Sequence, residues 1–127
     1  MSIDQDRARL AFQHVSEVLE PERKEYATLV HKLPALLARA GVCQSLHFLK
    51  SRDMPASNRL LEHLALQLKR VNGGITSAET LLARAREAPQ AEYLRLTRES
   101  MATAAWYRRM VQGVLEIDMA AADGERS

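Results

Sequence analysis

Apolar side chains recur every three or four residues along each long segment of the chain, the spacing that places them on one face of an α-helix. The pattern is strongest between residues 26 and 40, at Tyr26, Leu29, Val30, Leu33, Leu36, Leu37 and Ala40. No segment shows the alternation and the β-branched or aromatic enrichment that are typical of a strand. The sequence therefore predicts an all-α fold, a compact bundle of about six helices in a single domain.

The length and composition indicate one globular domain. The chain has 127 residues, of which 46% are apolar and 27% charged, within the usual range for folded domains. We expect the helical domain to cover residues 1–119, and residues 120–127, which are small and polar, to form a flexible tail. Because the chain lacks an apolar run of about 20 residues and is charged where a signal peptide is apolar, a cytoplasmic location away from the membrane is expected.

Caps and helix breakers predict where the helices begin and end. Ser2 with Gln5, and Thr76 with Glu79, fit capping boxes at two helix starts.

In the first helix the predicted core stripe consists of Ala8, Ala11, Phe12, Val15, Val18 and Leu19.

Proline and glycine interrupt the pattern at three points. Pro34 predicts a bend in the second helix, because proline removes a backbone donor and clashes with the carbonyl of Val30. Gly41 is placed to end that helix in the left-handed conformation, so that a short third helix follows from Val42 to about Lys50. Pro89 suits the first turn of the last and longest helix, which is expected to run to about Ile117.

No pattern of catalytic or metal-binding residues is present. The four histidines lie far apart along the chain, and the lone Cys43 can build neither a disulfide nor a thiolate site. Each histidine is interpreted as a surface or half-buried helical residue. Because the chain also lacks a glycine-rich phosphate loop and a nucleophile elbow, we expect no enzyme activity, no catalytic residues, no metal, no cofactor and no small-molecule substrate.

The positive charge is concentrated in the middle of the chain. The net charge of the chain is only +2. The segment from Lys32 to Arg70, however, contains seven basic and two acidic residues, which gives it a charge of +5. Arginine supplies 14 of the 18 bases, and its planar guanidinium suits phosphate and nucleobase contacts. This distribution favours an RNA partner modestly over an ordinary salt-bridged surface.

The last helix carries a second basic feature. At 100° per residue, Arg95, Arg98 and Arg109 fall in one stripe and are separated by small residues, namely Ala91, Ala102 and Ala105. The opposite side is the predicted core face, formed by Tyr93, Leu96, Ala104, Tyr107, Val111, Val114 and Leu115. The stripe fits a phosphate backbone, and the alternative is a solvated face with Glu92 and Glu99 as its acidic partners. Trp106 beside the stripe is interpreted as a packing residue more readily than as a base-stacking one.

Motifs along nearly the whole chain resemble the fifth Cmr protein family, the small subunit of the type III-B (Cmr) CRISPR effector complex. They appear in the family's order: Asp4 to Ala8, Tyr26 leading to Lys32-Leu33-Pro34, Gly41 to Lys50, Tyr93 to Glu99, and Trp106 to Arg109. The last two resemble the family's Tyr-x-Arg-Ala-Thr and Trp-Leu-Lys-Arg-Phe signatures. Met110 stands where phenylalanine is expected, and residues 102–105 hold few large apolar side chains.

The resemblance implies a non-catalytic CRISPR-associated subunit in antiviral defence. Such a subunit stacks head to tail as a filament beside the backbone subunits and helps hold the duplex of guide RNA and target RNA. Its expected partners are other Cmr subunits, copies of itself and both RNAs. The RNA-binding candidates are Lys32, Lys50, Arg95, Arg98 and Arg109, with Arg39, Arg59, Lys69 and Arg70 as second choices. Two alternatives stay open: a helical protein–protein adaptor without RNA contact, and a small enzyme assembled across a homo-oligomer.

Overall fold

The computed structural model describes residues 1–117, and these residues form five α-helices and one short 3-10 turn at Glu20–Glu22. The helices are α1 (Ile3–Ser16), α2 (Arg23–Arg52), α3 (Pro55–Leu68), α4 (Ala78–Glu87) and α5 (Gln90–Gly113). No strand occurs among these residues, and the predicted all-α bundle is confirmed. The predicted flexible tail, residues 120–127, lies outside the described residues.

Helices α2 and α5 form the centre of the bundle. α2 packs against α5 on one side and α3 on the other, α1 packs mainly against α5, and α4 closes the end formed by α2 and α3. The largest side chains that are almost completely buried are Tyr26, Tyr107, Leu33, Leu46, Leu49, Leu60, Leu61, Leu64, Leu68, Ile75, Leu81 and Leu96. None of the helices in residues 1–117 is both long enough and apolar enough to span a bilayer.

Helix α2 is interrupted at Gly41. The backbone there adopts φ 84° and ψ 167°, outside the helical region, while helical angles continue through Pro34. A Cβ at Gly41 would lie 3.2 Å from the hydroxyl of Tyr93, so both the backbone angles and the neighbouring helix favour glycine. The helix end predicted at Gly41 is therefore confirmed, whereas the backbone at Pro34 keeps helical angles. The predicted third helix is the part of α2 that follows Gly41.

The predicted helix starts are partly confirmed. At α1 the Ser2 hydroxyl accepts from the Gln5 amide at 3.0 Å, and the Gln5 side chain accepts from the Ser2 amide at 2.9 Å. The capping box predicted at Thr76 is wrong by one residue, because Ser77 caps α4 and pairs with Thr80. α5 begins directly after Pro89 and ends at Gly113, four residues before the predicted end.

Several predicted core residues are less buried than expected. Phe12 is 55% exposed, because α1 lies at the edge of the bundle and buries only a narrow strip that includes Ala11 and Val15. Leu19, which follows the end of α1, is 56% exposed. Five further predicted core residues are half-buried, namely Ala8, Ala40, Tyr93, Val114 and Leu115. Leu36 is half-buried at the margin of α2, whereas Leu33 and Leu37 are in the core as predicted.

Candidate nucleic-acid interface

A buried carboxylate on α5 holds two arginines from other helices. Glu99 is 7% exposed, and its two oxygens accept from Arg7 at 2.7 and 2.8 Å. Arg70 donates to the same carboxylate at 2.7 Å and to Asp6 at 2.6 Å. Burial tends to raise the pKa of Glu99, but the two guanidinium groups outweigh it and keep the pKa below its ordinary value. Arg70, a second-choice RNA candidate, is thus engaged inside the protein.

Two other candidates also have acidic partners. Arg59 donates to both carboxylate oxygens of Glu22, at 2.5 and 3.2 Å, and this pairing lowers the pKa of Glu22. Lys50 lies 3.3 Å from Glu79 in an exposed ion pair. Because an exposed pair contributes little to stability, Lys50 can exchange its partner at small cost, whereas the half-buried Arg59 is held more firmly.

The stripe on α5 is exposed as the sequence predicted. Arg95, Arg98 and Arg109 all face solvent, and within residues 1–117 no acidic side chain forms an ion pair with any of them. The stripe covers about 21 Å along the helix, because each residue rises 1.5 Å. It therefore offers three unneutralised guanidinium groups on one face.

Shallow grooves lie at both ends of the stripe. Arg95 and Arg98 line a groove of about 290 Å³ with Arg7 and Arg70, the two arginines that hold Glu99. Arg109 lines a separate groove of about 360 Å³ with Arg108 and Pro34. The structure thus brings Arg70 together with Arg95 and Arg98, and it places Arg109 apart from them.

The acids that could have neutralised the stripe are engaged elsewhere. Glu92 accepts from Arg84 at 2.9 Å and from Asn72 at 3.3 Å, and Glu99 binds Arg7 and Arg70. The alternative in which Glu92 and Glu99 pair with the stripe is therefore wrong.

The remaining candidates lie on other surfaces. Lys32 and Arg39 are exposed and border an apolar groove on α2 that also contains Leu36 and Phe48. Lys69 is exposed at the end of α3. No acidic side chain in the described part of the chain pairs with these three residues.

Trp106 is a packing residue. It is half-buried against the core, and its indole nitrogen donates to Asp4 at 2.8 Å. This hydrogen bond is the largest contribution that lowers the pKa of Asp4. It joins the start of α1 to α5 beside the stripe.

Sequence reasoning missed a buried polar cluster. The rings of His14 and His63 stack with centroids 4.2 Å apart, His14 hydrogen-bonds with Tyr107 at 2.5 Å, and His63 hydrogen-bonds with Tyr26 at 2.7 Å. His31 is buried as well, so the surface or half-buried interpretation holds only for His47. The helical spacing of His14 with Ala11 and of His63 with Leu60 was the available signal.

Comparisons with known proteins agree with this architecture. The family model described as CRISPR-associated protein (Cas_Cmr5) matches residues 3–114. The CRISPR system Cmr subunit Cmr5 of Thermus thermophilus is 39% identical over 110 residues, which cover 86% of this chain and 92% of that protein. A crystal structure of a CRISPR-associated Cmr5 family protein from Thermus thermophilus matches with a TM-score of 0.80 and 37% identity, covering 91% of this chain and 98% of that one. The chain therefore belongs to the Cmr5 family of CRISPR-associated proteins.

Proposed function

We propose that this chain is the non-catalytic small subunit of a type III-B ribonucleoprotein effector and that it helps hold the duplex of guide RNA and target RNA. Its partners are the other Cmr subunits, above all the backbone subunit, and copies of itself. It acts in the cytoplasm. Cutting of RNA and any other chemistry belong to other subunits.

The observation that carries this proposal is the stripe of Arg95, Arg98 and Arg109, which has no acidic partner among residues 1–117. An exposed arginine with an acidic neighbour is already neutralised, whereas an unpaired one can displace counterions from a phosphate backbone. Small residues between the arginines, Ala102 and Ala105, leave room for a backbone to lie close to α5. These contacts do not involve base edges, so the subunit binds RNA without sequence preference.

Assembly as a filament is supported by exposed apolar side chains. Phe12 lies on α1 and Leu19 lies just after the end of this helix, and both are more than half exposed. Large exposed apolar side chains are typical of a surface that a neighbouring subunit covers. We assign Phe12 and Leu19 to contact between subunits and the stripe to RNA.

The test replaces Arg95, Arg98 and Arg109 by alanine and assembles the variant with the other subunits. We expect assembly to be unchanged and target RNA to bind more weakly. The slope of log affinity against log salt should flatten by up to about three per subunit, close to one for each phosphate that is no longer neutralised.

A matched control removes the same charge elsewhere, by replacing Arg9, Arg23 and Arg86 with alanine. These arginines lie on α1, α2 and α4, and each has a polar partner in the protein. The control complex should keep the wild-type salt slope. If the stripe variant assembles and keeps the wild-type affinity and slope, the proposal fails, and the adaptor without RNA contact becomes the better description.

A further inference from the structure

A groove on α2 combines an apolar wall with a basic rim. It encloses about 300 Å³ and is lined by His31, Lys32, Ala35, Leu36, Arg39 and Phe48. Phe48 is 38% exposed, and the guanidinium of Arg52 lies over its ring at 6.0 Å from the centroid. The groove therefore offers an apolar surface with one accessible aromatic ring.

A buried histidine forms the inner wall of this groove. His31 is 3% exposed, and its Nε2 lies 3.1 Å from the carbonyl oxygen of Ile117. Its other ring nitrogen, Nδ1, is buried as well. A ligand in the groove therefore contacts the apolar wall and the rim, and not the ring nitrogens of His31.

The two cations at the rim add a second requirement. Lys32 and Arg39 lie seven residues apart on the same exposed side of α2. Neither has an acidic partner within residues 1–117, so both can accept negative charge from a ligand. A fitting ligand has a flat apolar part with negative charge close to it.

We propose that this groove binds a nucleotide of single-stranded RNA. The base lies against Leu36 and Phe48, and flanking phosphates contact Lys32 and Arg39. A nucleotide supplies a flat ring for Phe48 and a negative charge on each side of it, whereas an aliphatic or a single acidic side chain of a partner protein supplies only one of the two. Stacking on an apolar surface accepts any base, so the groove holds RNA without reading its sequence.

The inference rests on the proposed function, because it takes RNA to be the partner, but it concerns a surface different from the stripe on α5. The test uses the full chain and two labelled probes of roughly ten nucleotides, a length within the usual single-strand site sizes. One probe is oligouridylate, and the other is the same ribose-phosphate chain without bases. Fluorescence anisotropy at low salt measures both affinities.

We expect oligouridylate to bind about tenfold more tightly than the abasic chain, since stacking of a base on an aromatic ring accounts for a difference of that order. Phe48→Ala should remove most of this difference and leave the affinity for the abasic chain unchanged. Leu36→Glu, which places a carboxylate at the half-buried edge of the groove, should weaken both probes. Phe12→Ala is the matched control, because Phe12 is an exposed phenylalanine on a different helix, α1.

The results separate this inference from the proposed function. Equal affinity for the two probes, no measurable binding of either one, or an equal loss for both with Phe48→Ala overturns the nucleotide groove. Groove variants that keep RNA affinity but no longer assemble with partner subunits also overturn it and assign the groove to protein. The alanine variant of the stripe should weaken both probes alike, and its failure to do so would count against the proposed function alone.

Discussion

The inner and outer faces of α5 are both rich in polar groups, but they differ in what holds them. On the inner face Glu99, Thr103 and Tyr107 are buried and hydrogen-bonded to each other or to residues of α1 and α3. On the outer face Arg95, Arg98 and Arg109 are exposed without acidic partners in the described chain. A charged residue on α5 that has a partner inside the protein therefore supports the fold, whereas one without such a partner is free for the binding role that we propose.

The largest expected effect is on the inner face. Glu99→Ala leaves Arg7 and Arg70 without their shared buried carboxylate, and breaking such a buried arrangement costs about 3–5 kcal/mol. Urea unfolding followed by circular dichroism should show this loss in the free energy of unfolding. Glu87→Ala removes an exposed acid at the end of α4 and should leave the midpoint nearly unchanged. Equal midpoints for the two variants would mean that the inner face is not a structural element.

The second effect is a loss of stability in acid. Burial lowers the pKa of His14 below its ordinary 6.5, and burial together with the nearby charges of His14 and Arg59 lowers that of His63 to about 3. Below pH 6.5 the unfolded chain therefore binds more protons than the folded chain. The contribution of the two histidines to the free energy of unfolding is complete above that pH, and it decreases as the pH falls toward their pKa values in the folded chain. Each histidine contributes at most about 1.4 kcal/mol per pH unit in this range.

The decrease should be visible between pH 7 and 5, before the acids with lowered pKa values, such as Glu99, begin to titrate. His63→Gln, which keeps a hydrogen-bonding group but cannot titrate, should reduce the dependence of the melting temperature on pH by close to half. His47→Gln, at the half-buried histidine of α2, should leave it unchanged. A flat profile in the wild-type chain would show that His14 and His63 are not buried as neutral rings.

The sequence predicted the helices and the stripe because both follow from periodicity along a single segment. It did not predict the partners of Glu99, since Arg7, Arg70 and Glu99 meet only after α1, α3 and α5 have packed, and nothing in their spacing joins them. The same limit explains Phe12, which fits the apolar stripe of α1 but lies beyond the strip that α5 and α3 cover. Gly41 was recognisable, because a glycine after an apolar helical pattern favours a helix end with positive φ, whereas the close approach of Tyr93 to it was not.

The smallest expected effect is that of the stripe on stability, and it is the sharpest test of the difference between the two faces. Arg95, Arg98 and Arg109 project away from the core, and alanine is at least as favourable as arginine in a helix. Each replacement should therefore change the free energy of unfolding by no more than about 0.5 kcal/mol. Arg70→Ala is the matched comparison, because it removes one arginine that donates to Glu99, Asp6 and Gln67.

Thermal unfolding of both variants at the same pH and salt compares them directly. We expect the triple variant of the stripe to melt within a few degrees of the wild-type chain and the single variant at Arg70 to melt clearly lower. This result would show that three exposed arginines without partners are kept for something other than folding. If the triple variant melts as low as Arg70→Ala, the stripe contributes to the packing of α5, and a loss of RNA binding in that variant could no longer be assigned to phosphate contacts.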